Sequence, residues 1–170
     1  MAATYEAIAT VEVGSGGAAN IEFTSIAADW TDLVIKYSLR SDQNNDYGYA
    51  LLTVNSSGSN YSARILYADS NSAGSTTSLG GAGNLTVGNN STANTFSNGE
   101  AYLPNYASSN NKSMSFDAVT EKNASTNVGL YLTASLWSDT TAITSVKLAL
   151  NGAGNFVQYS TATLYGISNS

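Results

Sequence analysis

The chain contains no cysteine and no histidine, and its 170 residues include only one proline. Without cysteine there can be no disulfide framework and no thiolate nucleophile or ligand. Without histidine, the imidazole that relays the proton in Ser-His-Asp chemistry is missing, and zinc and copper lose a usual ligand. We therefore expect a protein that is not an enzyme and that needs neither a cofactor nor a metal.

Charge is scarce as well, since charged residues make up 11% of the chain and the net charge is −6. Six basic residues cannot provide the dense Lys/Arg surface that binds phosphate backbones, so no nucleic-acid partner is expected. No stretch approaches the roughly 20 apolar residues of a membrane span. The first residues lack the cationic start and hydrophobic block of a secretory signal. We expect neither a membrane partner nor Sec-dependent export.

The clearest pattern in the chain lies in residues 128–137. One row of a two-residue alternation is aliphatic and comprises Val128, Leu130, Leu132, Ala134 and Leu136. The other row is small, aromatic or hydroxylated and comprises Gly129, Tyr131, Thr133, Ser135 and Trp137. Successive side chains of a strand point to opposite faces, so the pattern predicts a central strand with the aliphatic row inward and the other row outward.

Further apolar-patterned runs, separated by clusters of Gly, Ser, Asn and Thr, predict short strands. They cover residues 5–13, 21–23, 32–40, 49–54, 61–68, 95–103, 112–120, 143–150 and 156–167. The expected fold is all-β: a single domain over 1–170, built as an antiparallel β-sandwich of jelly-roll type with about ten strands. Pro104 is expected to end the strand before it. Residues 69–94, rich in Gly, Ser and Asn, are predicted to form an exposed excursion with at most one short strand.

Residues 42–48 show the spacing of a metal-binding loop. Asp42, Asn44 and Asp46 place oxygen-bearing side chains at alternate positions, as in loops that wrap calcium. Gly48 comes one place late for that motif, and no bidentate glutamate follows. An ordinary turn, in which these side chains bond their own backbone, is the favoured interpretation, and a cation site is the alternative.

Tyrosine is abundant, with 11 copies, and two tryptophans accompany it. Six tyrosines in or near predicted loops are candidates for a platform that stacks sugars: Tyr47, Tyr49, Tyr61, Tyr67, Tyr102 and Tyr106. The favoured alternative is that tyrosine fills half-buried strand faces, with protein interfaces as a further alternative.

Paired carboxylates are the catalytic chemistry that the composition still allows, and glycosidases need the two groups about 5–9.5 Å apart. Glu6 and Glu12 fall on one predicted strand face but would be roughly 20 Å apart at 3.3 Å per residue. Asp117 and Glu121 would be roughly 13 Å apart by the same spacing. Neither pair fits, so no catalytic residue is assigned.

Several segments resemble a family of small β-rich virion proteins of tailed phages, notably phages of marine bacteria and cyanobacteria. The strongest are ANTFSNGEAYLPNYASSNNKSMSFDAVTE at 93–121 and NFVQYSTATLYGI at 155–167. AIATVEVGSGGAANIEF at 7–23, DWTDLVIKYSLRSD at 29–42 and GSNYSARILY at 58–67 are similar to it as well. Residues 70–90 are the least similar, and no catalytic residues come with the resemblance.

The resemblance implies a virion surface protein, assembled in the host cytoplasm, with two competing roles. One is a capsid decoration (cement) protein on the head, which stabilises the shell by passive contacts with the major capsid protein and with its own copies, in a small oligomer such as a trimer. The other is a tail-fibre or receptor-binding module that recognises host glycans. Decoration is favoured because the chain has no coiled-coil heptad and no collagen-like repeat to carry a fibre tip.

The N-terminal strand is the expected contact with a neighbouring subunit. It could pair with that subunit by β-augmentation, which would cover a sheet edge that otherwise invites aggregation. Deletion of residues 1–13 would test this expectation.

Overall fold

The computed structural model describes residues 4–69, 72–77, 82–121 and 129–168, and in these ranges the chain forms twelve strands and no helix. The strands are β1 (Tyr5–Glu12), β2 (Asn20–Phe23), β3 (Asp32–Leu39), β4 (Tyr47–Val54), β5 (Tyr61–Asp69), β6 (Ser72–Thr77), β7 (Ala82–Val87), β8 (Ser97–Leu103), β9 (Lys112–Thr120), β10 (Gly129–Trp137), β11 (Val146–Leu150) and β12 (Thr161–Ile167). The described part of the chain accordingly holds no helix that could cross a membrane.

The strands form two sheets, and every pairing between named strands is antiparallel. The main sheet has the order β1-β12-β3-β8-β9-β10-β5-β6, and the small sheet has the order β2-β11-β4-β7. β7 packs against β8, β9 and β10, which joins the two sheets as a sandwich. The all-β sandwich is confirmed, with twelve strands instead of about ten. The jelly-roll likeness is approximate because the sheets are unequal.

The hydrophobic core lies between the sheets. Alternation within β3, β4 and β9 predicts one inner row for each strand, and all of these side chains are buried: Leu33, Ile35, Tyr37, Leu39, Ala50, Leu52, Val54, Met114, Phe116 and Ala118. Full burial of a large apolar side chain stabilises the fold by roughly 1.5–3 kcal/mol. β8 ends at Leu103, directly before Pro104, as predicted.

β10 is a central strand, as predicted, but its two faces are reversed. Tyr131, Thr133 and Trp137 are buried, whereas Leu130 and Leu132 are exposed. Val128 lies outside the described residues. The aliphatic row of the alternation therefore faces away from the core.

The register with β9 explains the reversal. Tyr131 and Thr133 lie directly opposite Ala118 and Phe116, and directly paired residues of an antiparallel ladder share a face. Because the inner row of β9 is apolar, β10 must turn its aromatic and hydroxyl row inward. There Ser135 Oγ donates to the Ser62 carbonyl at 3.1 Å, so this hydroxyl is buried with a partner.

The described part of residues 69–94 contains both β6 and β7, whereas at most one short strand was expected there. Leu85 and Val87 of β7 are fully buried, so this part of the segment is core and not an exposed excursion. β7 pairs with β4 over Tyr47–Leu52 and packs on the main sheet. Two large apolar side chains are too few to distinguish this segment from a loop by composition, but they lie on the same face of β7 and are therefore buried together.

Arg40 holds the connection between β7 and β8 in place. The side chain is 9% exposed, and Nη1 donates to the carbonyls of Thr92 at 2.9 Å and Thr95 at 3.0 Å. Nη2 donates to the carbonyl of Ser91 at 3.2 Å. The buried guanidinium thus donates to three main-chain carbonyls of this connection and ties it to the end of β3.

Candidate functional site

The outward face of the main sheet carries an exposed apolar surface, which we call the leucine stripe. It consists of Leu66 and Ala68 on β5 and of Leu130, Leu132 and Ala134 on β10. Leu66, Leu130 and Leu132 are 60%, 54% and 53% exposed. The five side chains are contiguous, because Leu132 is paired with Leu66 and Leu130 with Ala68. The largest exposed apolar patch of a protein is often a surface that contacts a partner.

The backbone under the stripe is held on both sides. β10 is hydrogen-bonded to β9 and β5, and β5 is hydrogen-bonded to β10 and β6. Shallow grooves flank the stripe, among them one beside Arg64 and Ala134 and another between Leu130 and Asp117. The arrangement suits binding to an apolar partner surface and brings no reactive group to the stripe.

Charged side chains border the stripe on two sides. Asp117 of β9 is paired with Leu132, and Arg64 of β5 is paired with Ala134, so the two charges lie on opposite sides of β10. Asp117 Oδ1 accepts a hydrogen bond from the Glu100 amide at 2.9 Å. Glu100 in turn forms an exposed ion pair with Lys36, with 3.3 Å between Nζ and Oε2.

β1 is the second exposed apolar element. Among the described strands it pairs with β12 alone, and it carries a bulge between Ala7 and Ala9. Tyr5 and Ile8 on this strand are 44% and 39% exposed. The Tyr5 ring lies 4.8 Å from the ring of Tyr165. Pairing of the β1 edge with a neighbouring subunit stays a prediction.

Three of the six candidate sugar-stacking tyrosines converge in space. Tyr47, Tyr49 and Tyr67 gather around the buried Tyr131, which the sequence had assigned to the outward row. The hydroxyls of Tyr49 and Tyr131 are 3.2 Å apart, and the rings of Tyr67 and Tyr131 stack at 5.8 Å. The rings pack on one another, as in a half-buried strand face.

Within this cluster, the surroundings of Tyr131 and Tyr47 favour the protonated form of their hydroxyls. Burial raises the pKa of Tyr131 well above its ordinary value, and the hydrogen bond with Tyr49 acts in the same direction. Burial and a hydrogen bond to the Asp69 carboxylate raise the pKa of Tyr47 to about 12. These tyrosines therefore act as neutral hydrogen-bonding groups at physiological pH.

The other three candidate tyrosines lie elsewhere, so the six do not form one platform. Tyr61 stacks on Trp137 with 6.4 Å between ring centroids. The Tyr102 hydroxyl donates to an Asp32 carboxylate oxygen at 2.8 Å, and Tyr106 is 1% exposed.

The turn that resembled a cation loop uses its oxygens for main-chain contacts. Asp42 Oδ1 accepts a hydrogen bond from the Asn155 amide at 2.7 Å, which ties two distant loops together. The Asp46 carbonyl accepts from the Gly88 amide at 3.0 Å, and Asn44 is exposed. Across the described ranges no three His, Cys, Asp or Glu side chains are grouped to hold a metal ion. The geometry favours the turn interpretation, although Asp42 bonds a remote loop instead of its own backbone.

The carboxylates weighed as catalytic pairs are also located. The bulge in β1 reverses the alternation between Glu6, which is paired with Gly166, and Glu12, which is paired with Thr161. Because partners five residues apart on β12 face opposite ways, the two carboxylates do not share a face, and that expectation was wrong. Asp117 is on the outward face, and Glu121 follows the end of β9.

The leucine stripe itself was missed from the sequence. The signal that could have found it is the inner row of β9, whose pairing with β10 forces Leu130 and Leu132 outward. In comparisons with protein-family models, with curated proteins and with solved structures, no match to this chain was found.

Proposed function

We propose that this chain is a structural protein of a tailed-phage virion, a capsid decoration protein on the exterior of the head. It binds the major capsid protein and its own copies, and it carries out no catalysis. The observation that supports this proposal is the leucine stripe, a contiguous apolar surface on a fully hydrogen-bonded part of the main sheet.

The stripe suits a passive lattice contact. Covering exposed leucine stabilises a complex by roughly 25 cal/mol per Å² of apolar surface removed from water. A paired sheet needs little rearrangement on binding, so little of that free energy is lost to ordering the surface. A protein that binds the assembled shell better than its separated parts stabilises the shell by mass action.

A second role, the tail-fibre module that binds host glycans, is favoured by one polar feature of the surface. A shallow polar groove is lined by Asp42, Asn155 and Gln158. Tyr159 follows directly, is 63% exposed, and has a φ of 70°, which is uncommon for a residue other than glycine. A groove lined by carboxylate and amide groups offers hydrogen-bonding contacts to a sugar, and an exposed tyrosine ring next in sequence offers an apolar one.

The location of the protein on the particle tests the proposal. Virions are labelled with a Fab against this chain and imaged by electron microscopy, and Fab preincubated with excess purified protein is the control. Fabs at regular lattice positions on the head are the expected result. Fabs confined to the tail would contradict decoration and direct the work to glycan binding by Tyr159→Ser variants. Virions without specific labelling would contradict both roles.

A further inference from the structure

We propose that the leucine stripe is a contact between two copies of this chain, which meet through the outward faces of their main sheets. This inference rests on the proposed structural function and names the partner of one of its surfaces.

The charge distribution favours a second copy as the occupant. On the outward face of the adjacent strands β3, β8, β9, β10 and β5, the exposed charged side chains are Lys36, Arg64, Glu100 and Asp117. They comprise two cations and two anions, and the buried Asp32 carboxylate adds one anion to this face, whereas the chain as a whole has a net charge of −6. Most of the net negative charge therefore lies elsewhere on the molecule. Two identical copies can approach through this face without the repulsion that their acidic surfaces would otherwise cause.

The border charges are placed for a symmetric contact. Arg64 and Asp117 lie on opposite sides of β10, and their backbone positions are roughly 12 Å apart at standard strand spacing and rise. No hydrogen bond or ion pair within the described ranges engages the Arg64 side chain. In a two-fold contact, if residue i of one copy meets residue j of the other, then residue j of the first copy also meets residue i of the second. One contact between Arg64 and Asp117 of the second copy therefore generates its twin.

The same symmetry brings the leucines together. A two-fold axis in the plane of the contact that exchanges the positions of Arg64 and Asp117 makes the β10 strands of the two copies cross at roughly 70°, near the orthogonal class of sheet packing. It places Leu66 and Leu132 of one copy over Leu132 and Leu66 of the other. The contact then has an apolar centre with a charged pair at each border, which is the usual anatomy of a protein interface.

A charge exchange measured by sedimentation equilibrium tests the pairing. The purified chain is expected to form a reversible dimer. Arg64→Asp and Asp117→Arg should each weaken the dimer about tenfold, because each converts two attractive contacts into two repulsive ones. The double variant, with both charges exchanged, should recover the wild-type dissociation constant to within about threefold. Lys147→Asp makes the same charge change as Arg64→Asp on the small sheet and should leave the dimer unchanged.

Two results would overturn the inference. One is a wild-type chain that stays monomeric at roughly 1 mM, where a dimer with a millimolar Kd is about half formed. The other is a dimer that the single variants do not weaken or that the double variant does not restore. Asp117→Arg also loses the hydrogen bond from the Glu100 amide, so circular dichroism and denaturation of each variant confirm the fold, and Arg64→Asp tests the contact without that loss.

The virion-labelling experiment separates this inference from the proposed function. Fabs on the head together with a monomeric purified chain would leave the decoration role in place and assign the stripe to the capsid protein. A dimer in solution that the charge exchange restores, without any labelling of virions, would support the contact between two copies and contradict the decoration role.

Discussion

Leu132 of β10 lies directly opposite Leu66 of β5, and both side chains expose more than half of their surface on the outward face of the main sheet. The residue before each of them, Tyr131 and Ile65, is buried on the inward face. Neighbouring positions of the same strands thus have opposite roles, since one residue of each pair belongs to the core and the other to a surface that needs a partner.

Substitutions at the two positions of β5 should separate these roles. Leu66→Thr keeps a residue suited to a strand and removes an exposed side chain, so the free energy of unfolding of the monomer should change by no more than about 0.5 kcal/mol. Ile65→Thr places a hydroxyl in the core at a 2% exposed position and should cost about 2–4 kcal/mol. Urea denaturation in dilute solution measures both. Equal losses in the free energy of unfolding would contradict the orientation of β5, with Ile65 inward and Leu66 outward.

Removal of the Arg40 side chain should loosen the connection between β7 and β8. In Arg40→Ala the carbonyls of Ser91, Thr92 and Thr95 lose a charged donor in a buried place, so unfolding should become easier by about 2–4 kcal/mol. Arg40→Lys is the control, because one ammonium group cannot supply the fork of donors and should give an intermediate loss. Limited proteolysis should cut the Arg40→Ala variant within residues 88–95, and full resistance of that variant would count against the clamp.

Alkaline pH should destabilise the fold through Tyr47. Its pKa in the folded chain is about 12, above the ordinary value of 10.0, so the unfolded state loses this proton first. The stabilising contribution is complete below pH 10 and is lost as the pH rises from 10 to 12. The free energy of unfolding should fall over that interval, and less steeply in Tyr47→Phe.

Ultraviolet titration provides an independent check of the same hydroxyl. In native buffer, Tyr47→Phe should remove absorbance that appears around pH 12, whereas in concentrated urea all tyrosines should titrate with a midpoint near pH 10. Identical high-pH slopes of stability for wild type and Tyr47→Phe would contradict the raised pKa of Tyr47, which burial and the hydrogen bond to Asp69 produce together.

Gly166 of β12 should not tolerate a side chain. A Cβ at this position would overlap the indole of Trp30, so Gly166→Ala should cost roughly 1–3 kcal/mol and shift the tryptophan fluorescence. Gly16→Ala is the control, since nothing lies within 4 Å of its added Cβ. A Gly166→Ala protein with unchanged stability and emission would place Trp30 away from β12.

Much of the fold could be predicted from the sequence because single-strand patterns carry most of it. β3 and β9 each set a row of large apolar side chains against a mostly polar row, so their inner rows were evident without a partner strand. β10 alternates between two rows that could both be buried, and such a pattern fixes the period without fixing the face. Only pairing with β9 decides between the rows, and pairing is a property of the whole sheet.

The candidate surface could not be predicted for the same reason. From the sequence alone, Leu130 and Leu132 resemble core residues, and only the pairing of β10 with β9 shows that they face outward. Likewise, only the pairing of Arg64 with Ala134 shows that this cation borders the leucine stripe. The proposed sugar-stacking platform of six tyrosines failed for a different reason. Their type indicated amphipathic contacts, but only the fold shows that Tyr47, Tyr49 and Tyr67 pack around Tyr131.

Chemical labelling of a single thiol would test directly whether the leucine stripe is covered in the virion. Because the chain has no cysteine, Leu132→Cys carries one thiol in the stripe, and Thr133→Cys carries one at a 1% exposed position as the buried control. The rate of maleimide modification is compared between dilute purified chain and virions assembled with the variant. We expect Leu132→Cys to react fast in the dilute chain and at least about tenfold more slowly in the virion, where it approaches the Thr133→Cys control. Equal rates for Leu132→Cys in the two states would contradict the stripe as an interface.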